Sequence, residues 1–195
     1  MQHTGSNLET KGMLANPGNH FKGRFEVERK FRVDDISPIS RRLKHIGAVP
    51  FTIGNSETDV FLDFEDRSLM ANNQFQILRH MTPSDRVLWI SKGPTNDQCT
   101  AVDLADFDKA LSMLRSLRLK ETCQITKKRD IYFLDEFHIT LDKLEGLGSF
   151  VELAVMTDNE GDLPALRGDL QRVAKELDLH RSAEIFQSYR QLLFG

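Results

Sequence analysis

Polar and apolar side chains alternate from Phe21 to Val33. Arg24, Glu26, Glu28, Lys30 and Arg32 fall on one face. Phe25, Val27, Phe31 and Val33 fall on the other, where Arg29 is the exception. A period of two is that of a strand with one buried face. The period then lengthens. Asp34 or Asp35 is placed to cap a helix with Ile36, Ile39, Leu43 and Ile46 in one stripe, and Gly47 is its stop. Strand-like segments follow at 51–64, 74–81 and 85–92, punctuated by Gly54-Asn55, Asn72-Asn73 and Pro83-Ser84-Asp85. Asp106 caps a second amphipathic helix, with Phe107, Ala110, Leu111, Leu114 and Leu117 on its apolar side. Three more strands fit 121–134, 137–145 and 149–156. A helix follows from Asp162 to Asp178 along Leu166, Leu170, Val173 and Leu177, and a short C-terminal helix carries Ile185, Phe186, Tyr189 and Leu192. Strands that are adjacent in sequence and joined by short connections pair antiparallel, so the pattern predicts an α+β fold rather than a parallel, doubly wound one.

Composition narrows the picture. The 195 residues are 39% hydrophobic and 28% charged, which suits one domain with a sizeable core. We assign it to residues 21–195, with 1–20 as a flexible leader that has no apolar signal-like run. A formal net charge of −3 predicts no nucleic-acid partner and no anionic membrane surface. No apolar run reaches the length of a membrane span. Cys99 and Cys123 stand in no CxxC or Cys/His spacing, which argues against a zinc site or disulfide framework and predicts a reducing, cytoplasmic setting.

The charges on the strands carry the chemistry. Asp59 and Asp63 recur in DVFLD, Arg86 and Lys92 lie on a later strand, and Lys127 and Arg129 share a face. Asp142 and Glu152 sit among apolar neighbours in the last two long strands. A wet face of an antiparallel sheet needs no function for such charges. Here, however, acids and bases are grouped by strand. A closed or strongly curved sheet would point them inward, where like charges repel unless ions neutralise them. Clustered carboxylates suit Mg²⁺ or Mn²⁺, and clustered lysines and arginines suit a polyanion such as a phosphate chain. No P-loop is present, so side chains alone would grip the phosphates.

These residues resemble the motifs of the CYTH family, also called triphosphate tunnel metalloenzymes, which groups class IV adenylyl cyclases with thiamine and inorganic triphosphatases. Glu26-Val27-Glu28-Arg29-Lys30 resembles the ExExK signature of the first strand, and DVFLD the family's DxYxD-like second strand. LRH (78–80) resembles the LRxR strand, SKGP (91–94) the YKGP turn, TKKRD (126–130) the KxR strand, and LDKLEGLGSFVEL (141–153) the LDxxxGLGxFxExE segment. SYRQLL is similar to the ending of cyclase-like members. The resemblance implies an eight-stranded antiparallel β-barrel, closed into a tunnel with helices packed outside. It implies metal ligation of Mg²⁺ or Mn²⁺ by Glu26, Glu28, Glu152 and Asp142, and a triphosphate held by Lys30, Arg79, Lys92, Lys127 and Arg129. Glu26, Glu28 and Lys30 would carry catalysis. The reaction implied is cyclisation of ATP to cyclic AMP and pyrophosphate, or hydrolysis of inorganic, thiamine or nucleoside triphosphate.

Three positions depart from the family pattern. Met81 replaces the second arginine of LRxR, Ala154 replaces the last acid of FxExE, and Cys99-Thr100-Ala101-Val102-Asp103 keeps only Asp103 of an RxExE-like run. The alternative reading is therefore a polyphosphate-binding module without turnover. Four carboxylates beside an anion speak against it. A lipocalin-type carrier would need an apolar interior, which the alternation from 24 to 32 contradicts. His80 and His138 are further candidates for moving protons, since imidazole titrates near neutral pH.

Overall fold

The computed structural model describes residues 21–195, so the leader expected at 1–20 lies outside the described residues. Nine strands form one antiparallel sheet: β1 (Phe25–Val33), β2 (Val49–Asp63), β3 (Phe75–Thr82), β4 (Arg86–Lys92), β5 (Cys99–Leu104), β6 (Lys120–Leu134), β7 (Phe137–Leu144), β8 (Gly148–Thr157) and β9 (Glu184–Ile185). The helices are α1 (Ser37–His45), α2 (Ser68–Ala71), α3 (Phe107–Ser116), α4 (Leu163–Glu176) and α5 (Tyr189–Phe194). Strand order is β5-β4-β3-β2-β6-β7-β8-β1-β9. Among the described residues no helix is long and apolar enough to cross a membrane.

The two periodicities of the sequence explain the layering. Val27 and Phe31 of β1, Ile139 and Leu141 of β7, and Val151, Leu153 and Val155 of β8 pack their convex face against Leu43 of α1 and Leu170, Val173 and Ala174 of α4. A second core joins Val60, Leu62, Leu78 and Val87 of β2–β4 to Ala110, Leu111 and Leu114 of α3. Arg29, the polar exception on the apolar face of β1, is answered there. Its guanidinium donates to both carboxylate oxygens of Glu184, at 2.8 and 2.6 Å, and also to Gln171 of α4.

The expected eight-stranded closed barrel is not what the sheet forms. The ladder has nine strands and ends at β5 and β9. The physical reason lies on the outer edge of β1. At its start, Glu26 N–H donates to Asp97 O (2.7 Å), Cys99 N–H donates to Arg24 O (3.0 Å), and Phe25 makes one isolated bridge to Gln98. Further along, Lys30 and Phe31 pair with Ile185 and Glu184 of β9. That edge is thus already occupied where β5 would have to continue. The sheet curls without closing, and the alternate side chains still point into its concave face. Ile185 accordingly belongs to a strand, not to the short C-terminal helix expected from its spacing, and Phe186 is exposed. Neither Asp34 nor Asp35 is the N-cap of α1, which is Ile36 with no side-chain cap, although Asp35 accepts from Ser37 N–H and Oγ–H just ahead of the helix (2.9 and 2.8 Å).

Gly93 follows Lys92 at φ +90°, and a Cβ there would come 1.9 Å from Asn73 O. Left-handed backbone and backbone contact together require glycine. Gly93→Ala is expected to destabilise the chain by roughly 1–3 kcal/mol, read as a lower urea midpoint with unchanged slope.

Candidate active site

The concave face encloses a cavity of about 740 Å³. Glu26, Glu28 and Lys30 reach it from β1, Arg79 from β3, Lys92 from β4, Lys127 and Arg129 from β6, and Glu152 from β8. All of these residues, which the family resemblance implies, are therefore brought together on one cavity. Asp142 is not among the side chains lining the cavity. It is fully buried behind them, and both its oxygens are engaged: Arg129 Nε donates to Oδ1 at 2.6 Å, and the Tyr189 hydroxyl donates to Oδ2 at 2.7 Å. As it stands, Asp142 orients Arg129 rather than offering free oxygens to a cation.

The cations are held in an ion-pair lattice. Arg79 forks onto Asp59 through Nε and Nη2, at 2.6 and 2.9 Å, and Lys127 Nζ donates to the same carboxylate at 2.7 Å. Arg129 bridges Asp142 and Glu152, the latter at 2.6 Å. On the β1 side, Lys92 Nζ lies 2.8 Å from Glu26 and 3.7 Å from Glu28. Lys30 Nζ lies 3.3 Å from Glu28 and 3.1 Å from Glu152. Two ammonium groups thus link three carboxylates in a row. Lys30 also sits 4.4 Å over the Tyr189 ring, a cation–π contact.

Burial would raise the carboxyl pKa values, but the neighbouring cations outweigh it. Arg79 and Lys127 hold Asp59 well below the usual carboxylate range, Lys30 and Arg129 do the same for Glu152, and Lys92 for Glu26. Asp142 is the opposite case: its burial prevails over Arg129 and raises it. Cys99 lines the cavity, and burial, reinforced by Glu26, pushes its thiol up to about 12, so it stays protonated and is no nucleophile. His138 lines the cavity 3.6 Å from Glu26 and against the Phe21 ring. His80 does not. It pairs with Asp85 and stacks on Phe107 outside the sheet.

Two residues were overlooked in the sequence. Glu57 is completely buried beside Arg79, Lys127 and Arg129. The signal was present, because Glu57-Thr58-Asp59 repeats the two-residue acid spacing of β1. The expected grouping of Asp59 with Asp63 does not form. Asp63 instead accepts from the backbone N–H groups of Phe64, Leu69 and Met70 around α2. The second is Tyr189, which reads as one more apolar helix position. The three departures, Met81, Ala101 and Ala154, all line the cavity. Met81 and Ala101, with Ile77, Leu88 and Ile90, make the β3–β5 arm largely apolar, Ala154 lines the cavity from β8, and Asp103 is spent on Arg86 at the rim (2.6 and 3.1 Å).

A model of the CYTH domain matches residues 24–189. The chain belongs to the CYTH family. Adenylate cyclase CyaB of Aeromonas hydrophila is 44% identical over 173 residues, covering 89% of this chain and 91% of that one. The X-ray structure of a Vibrio parahaemolyticus homologue superposes with a TM-score of 0.86 at 36% identity, covering 89% of this chain and 100% of that chain. HpAC1 from Hippeastrum, described as having a dominant triphosphatase activity, shares the fold at a TM-score of 0.58 and 12% identity, covering 87% of this chain and 94% of that one.

The donor chemistry suits a hard divalent cation, although among the described residues no three His, Cys, Asp or Glu side chains are gathered as a metal cluster. Mg²⁺ needs no such cluster, since one or two carboxylates plus substrate phosphates and water commonly complete its shell.

The lattice sets the acid stability of the CYTH domain. Glu26, Asp59 and Glu152 have folded-state pKa values below their unfolded ones. Their contribution is therefore complete above about pH 4–4.5, the ordinary carboxylate range, and is lost as pH falls below it. Asp142, raised on folding, acts in the reverse sense. Calorimetry from pH 7 to pH 3 is expected to show a steep fall in melting temperature below pH 4 with net proton uptake on unfolding. A flat profile would mean that the ion pairs do not hold the carboxylates down.

Proposed function

We propose that this CYTH protein is a metal-dependent enzyme acting on the triphosphate of ATP, converting it to cyclic AMP and pyrophosphate. The observation that carries the reading is the convergence of Lys30, Arg79, Lys92, Lys127 and Arg129, from four strands, on one cavity wall beside Glu26 and Glu28. The 44% identity to an adenylate cyclase makes ATP the first substrate to consider.

Catalysis in this scheme is electrostatic. Arg79, Lys127 and Arg129, held rigid by Asp59 and Asp142, present fixed N–H donors to the β- and γ-phosphates, and so to the charge that develops on the departing pyrophosphate. Glu26 and Glu28, with Glu152 beside them, would hold Mg²⁺ or Mn²⁺. When bound, such an ion supplies Lewis-acid charge neutralisation at the phosphoryl oxygens. Lys30 and Lys92 are the cations best placed to follow the substrate, because each is a compact ammonium on a flexible stem and neither is tied to Asp59 or Asp142. The apolar β3–β5 arm gives an organic group on the triphosphate a dry surface, which favours a nucleotide over the inorganic chain. A reducing compartment such as the cytoplasm suits the free thiols of Cys99 and Cys123.

The test is turnover of ATP, inorganic triphosphate and thiamine triphosphate with Mg²⁺ and then Mn²⁺, with separation of the nucleotide products. Cyclic AMP and pyrophosphate are expected from ATP, with Glu28→Ala lowering the rate roughly 10²–10³-fold. Orthophosphate in place of cyclic AMP, with the same dependence on Glu28, would make the protein a triphosphatase. Metal-dependent binding without any product would make it a binding module.

A further inference from the structure

Glu57 is the buried acid that this reaction scheme leaves without a task. It lies in the middle of β2, is completely buried from solvent, and borders the cavity. Its Oε1 accepts from Asn55 Nδ2 at 3.2 Å. Its Oε2 accepts no hydrogen bond at all. Yet three cations converge on that oxygen: Arg79 Nη1 at 3.2 Å, Lys127 Nζ at 3.3 Å and Arg129 Nη1 at 3.5 Å. The same three side chains make their close bonds elsewhere, to Asp59 at 2.6 and 2.7 Å and to Asp142 at 2.6 Å.

Glu57 is therefore not what aims the cations, since Asp59 and Asp142 already do so. Its charge sits in the shared field of the three cations without fixing the geometry of any one. A carboxylate oxygen ringed by two guanidinium groups and an ammonium stands where those donors would otherwise meet a phosphate oxygen. We propose that Glu57 is a resident counter-anion that sets the specificity of the phosphate cradle. It keeps Arg79, Lys127 and Arg129 from holding a short polyphosphate on their own. Net binding then depends on the further contacts that a longer chain makes at Lys30 and Lys92. In a reaction that releases pyrophosphate, this device would hasten product departure. The inference rests on the polyphosphate reading of the cavity proposed above.

Binding without turnover tests it. Calorimetry in the presence of a chelator, with no divalent metal, compares pyrophosphate and inorganic triphosphate on the full chain. Glu57→Gln keeps shape and removes the charge. A unit charge removed a few ångströms from the anion is expected to tighten pyrophosphate on the order of tenfold or more, and to bring its affinity closer to that of triphosphate. Glu65→Gln, which removes an acid paired with Lys120 on the exposed surface away from the cavity, is expected to leave pyrophosphate affinity unchanged. Unchanged or weaker pyrophosphate binding by Glu57→Gln would overturn the proposal and leave Glu57 a structural counter-charge. If that variant folds only when pyrophosphate is added, the added anion has replaced the missing one, which supports the proposal. If it folds under neither condition, Glu57→Asp, which draws the charge back by one methylene, is expected to tighten pyrophosphate severalfold, and no tightening would overturn the idea. Failure of wild type and all variants to bind either polyphosphate would instead overturn the reading of the cavity, and the inference with it.

Discussion

The structure depends on the pairing of opposite charges across a buried, curved surface. Arg129 is the clearest case. Its guanidinium touches Asp142, Glu152 and the neighbourhood of Glu57, three acids from three strands. Removing one member of such a set leaves a desolvated charge without a partner, which is far more costly than the pair is stabilising. The lattice therefore contributes less to raw stability than to specificity of arrangement. The apolar convex face would tolerate several curvatures of the sheet. The concave face tolerates few, because each ammonium must land between particular carboxylates. Lys30, between Glu28 and Glu152, ties β1 to β8, while Arg79 and Lys127, both on Asp59, tie β3 and β6 to β2.

Much of this was legible in the sequence, since the period of a strand decides which side chains share a face. Glu26, Glu28 and Lys30, or Lys127 and Arg129, could be placed together from spacing alone. What spacing does not carry is depth. Asp142 and Glu152 both face inward by parity, yet Asp142 is sealed behind Arg129 and Tyr189 whereas Glu152 reaches the cavity. Nor does it carry what happens at the edges of a sheet. A two-residue strand such as β9 has no pattern of its own, and it is β9 that occupies the edge of β1 and leaves the barrel open. Glu57 is legible by the same rule, because its position two residues before Asp59 in β2 fixes its face.

The family's motifs and this chain's departures from them have a common physical sense. At 81, 101 and 154 a charged position of the pattern is filled by Met or Ala, and the three side chains line the same cavity. Charges of both signs are lost, one base and two acids, so the wall becomes drier without taking on a single sign. The result is a site with two solvents in it: an ionic wall formed by β1, β2, β6 and β8 together with Arg79 and Lys92, and a hydrocarbon patch formed by the other inward side chains of β3 to β5.

Tyr189 gives the site an unusual relation to the chain. Its hydroxyl closes on Asp142 and its ring lies under Lys30, so a wall of the cavity comes from the last helix while the acids beside it come from the first strand. Strand β1 itself is hydrogen-bonded along its length to β8, more than a hundred residues away. Such long-range closure is slow and entropically demanding, because the cavity is complete only when β1 and α5 are both in place. A ligand gripped there is gripped by strand β1 and helix α5 at once. Its binding energy accordingly resists unfolding of the whole domain rather than of a local loop, and hydrogen exchange would slow in strands far from any phosphate.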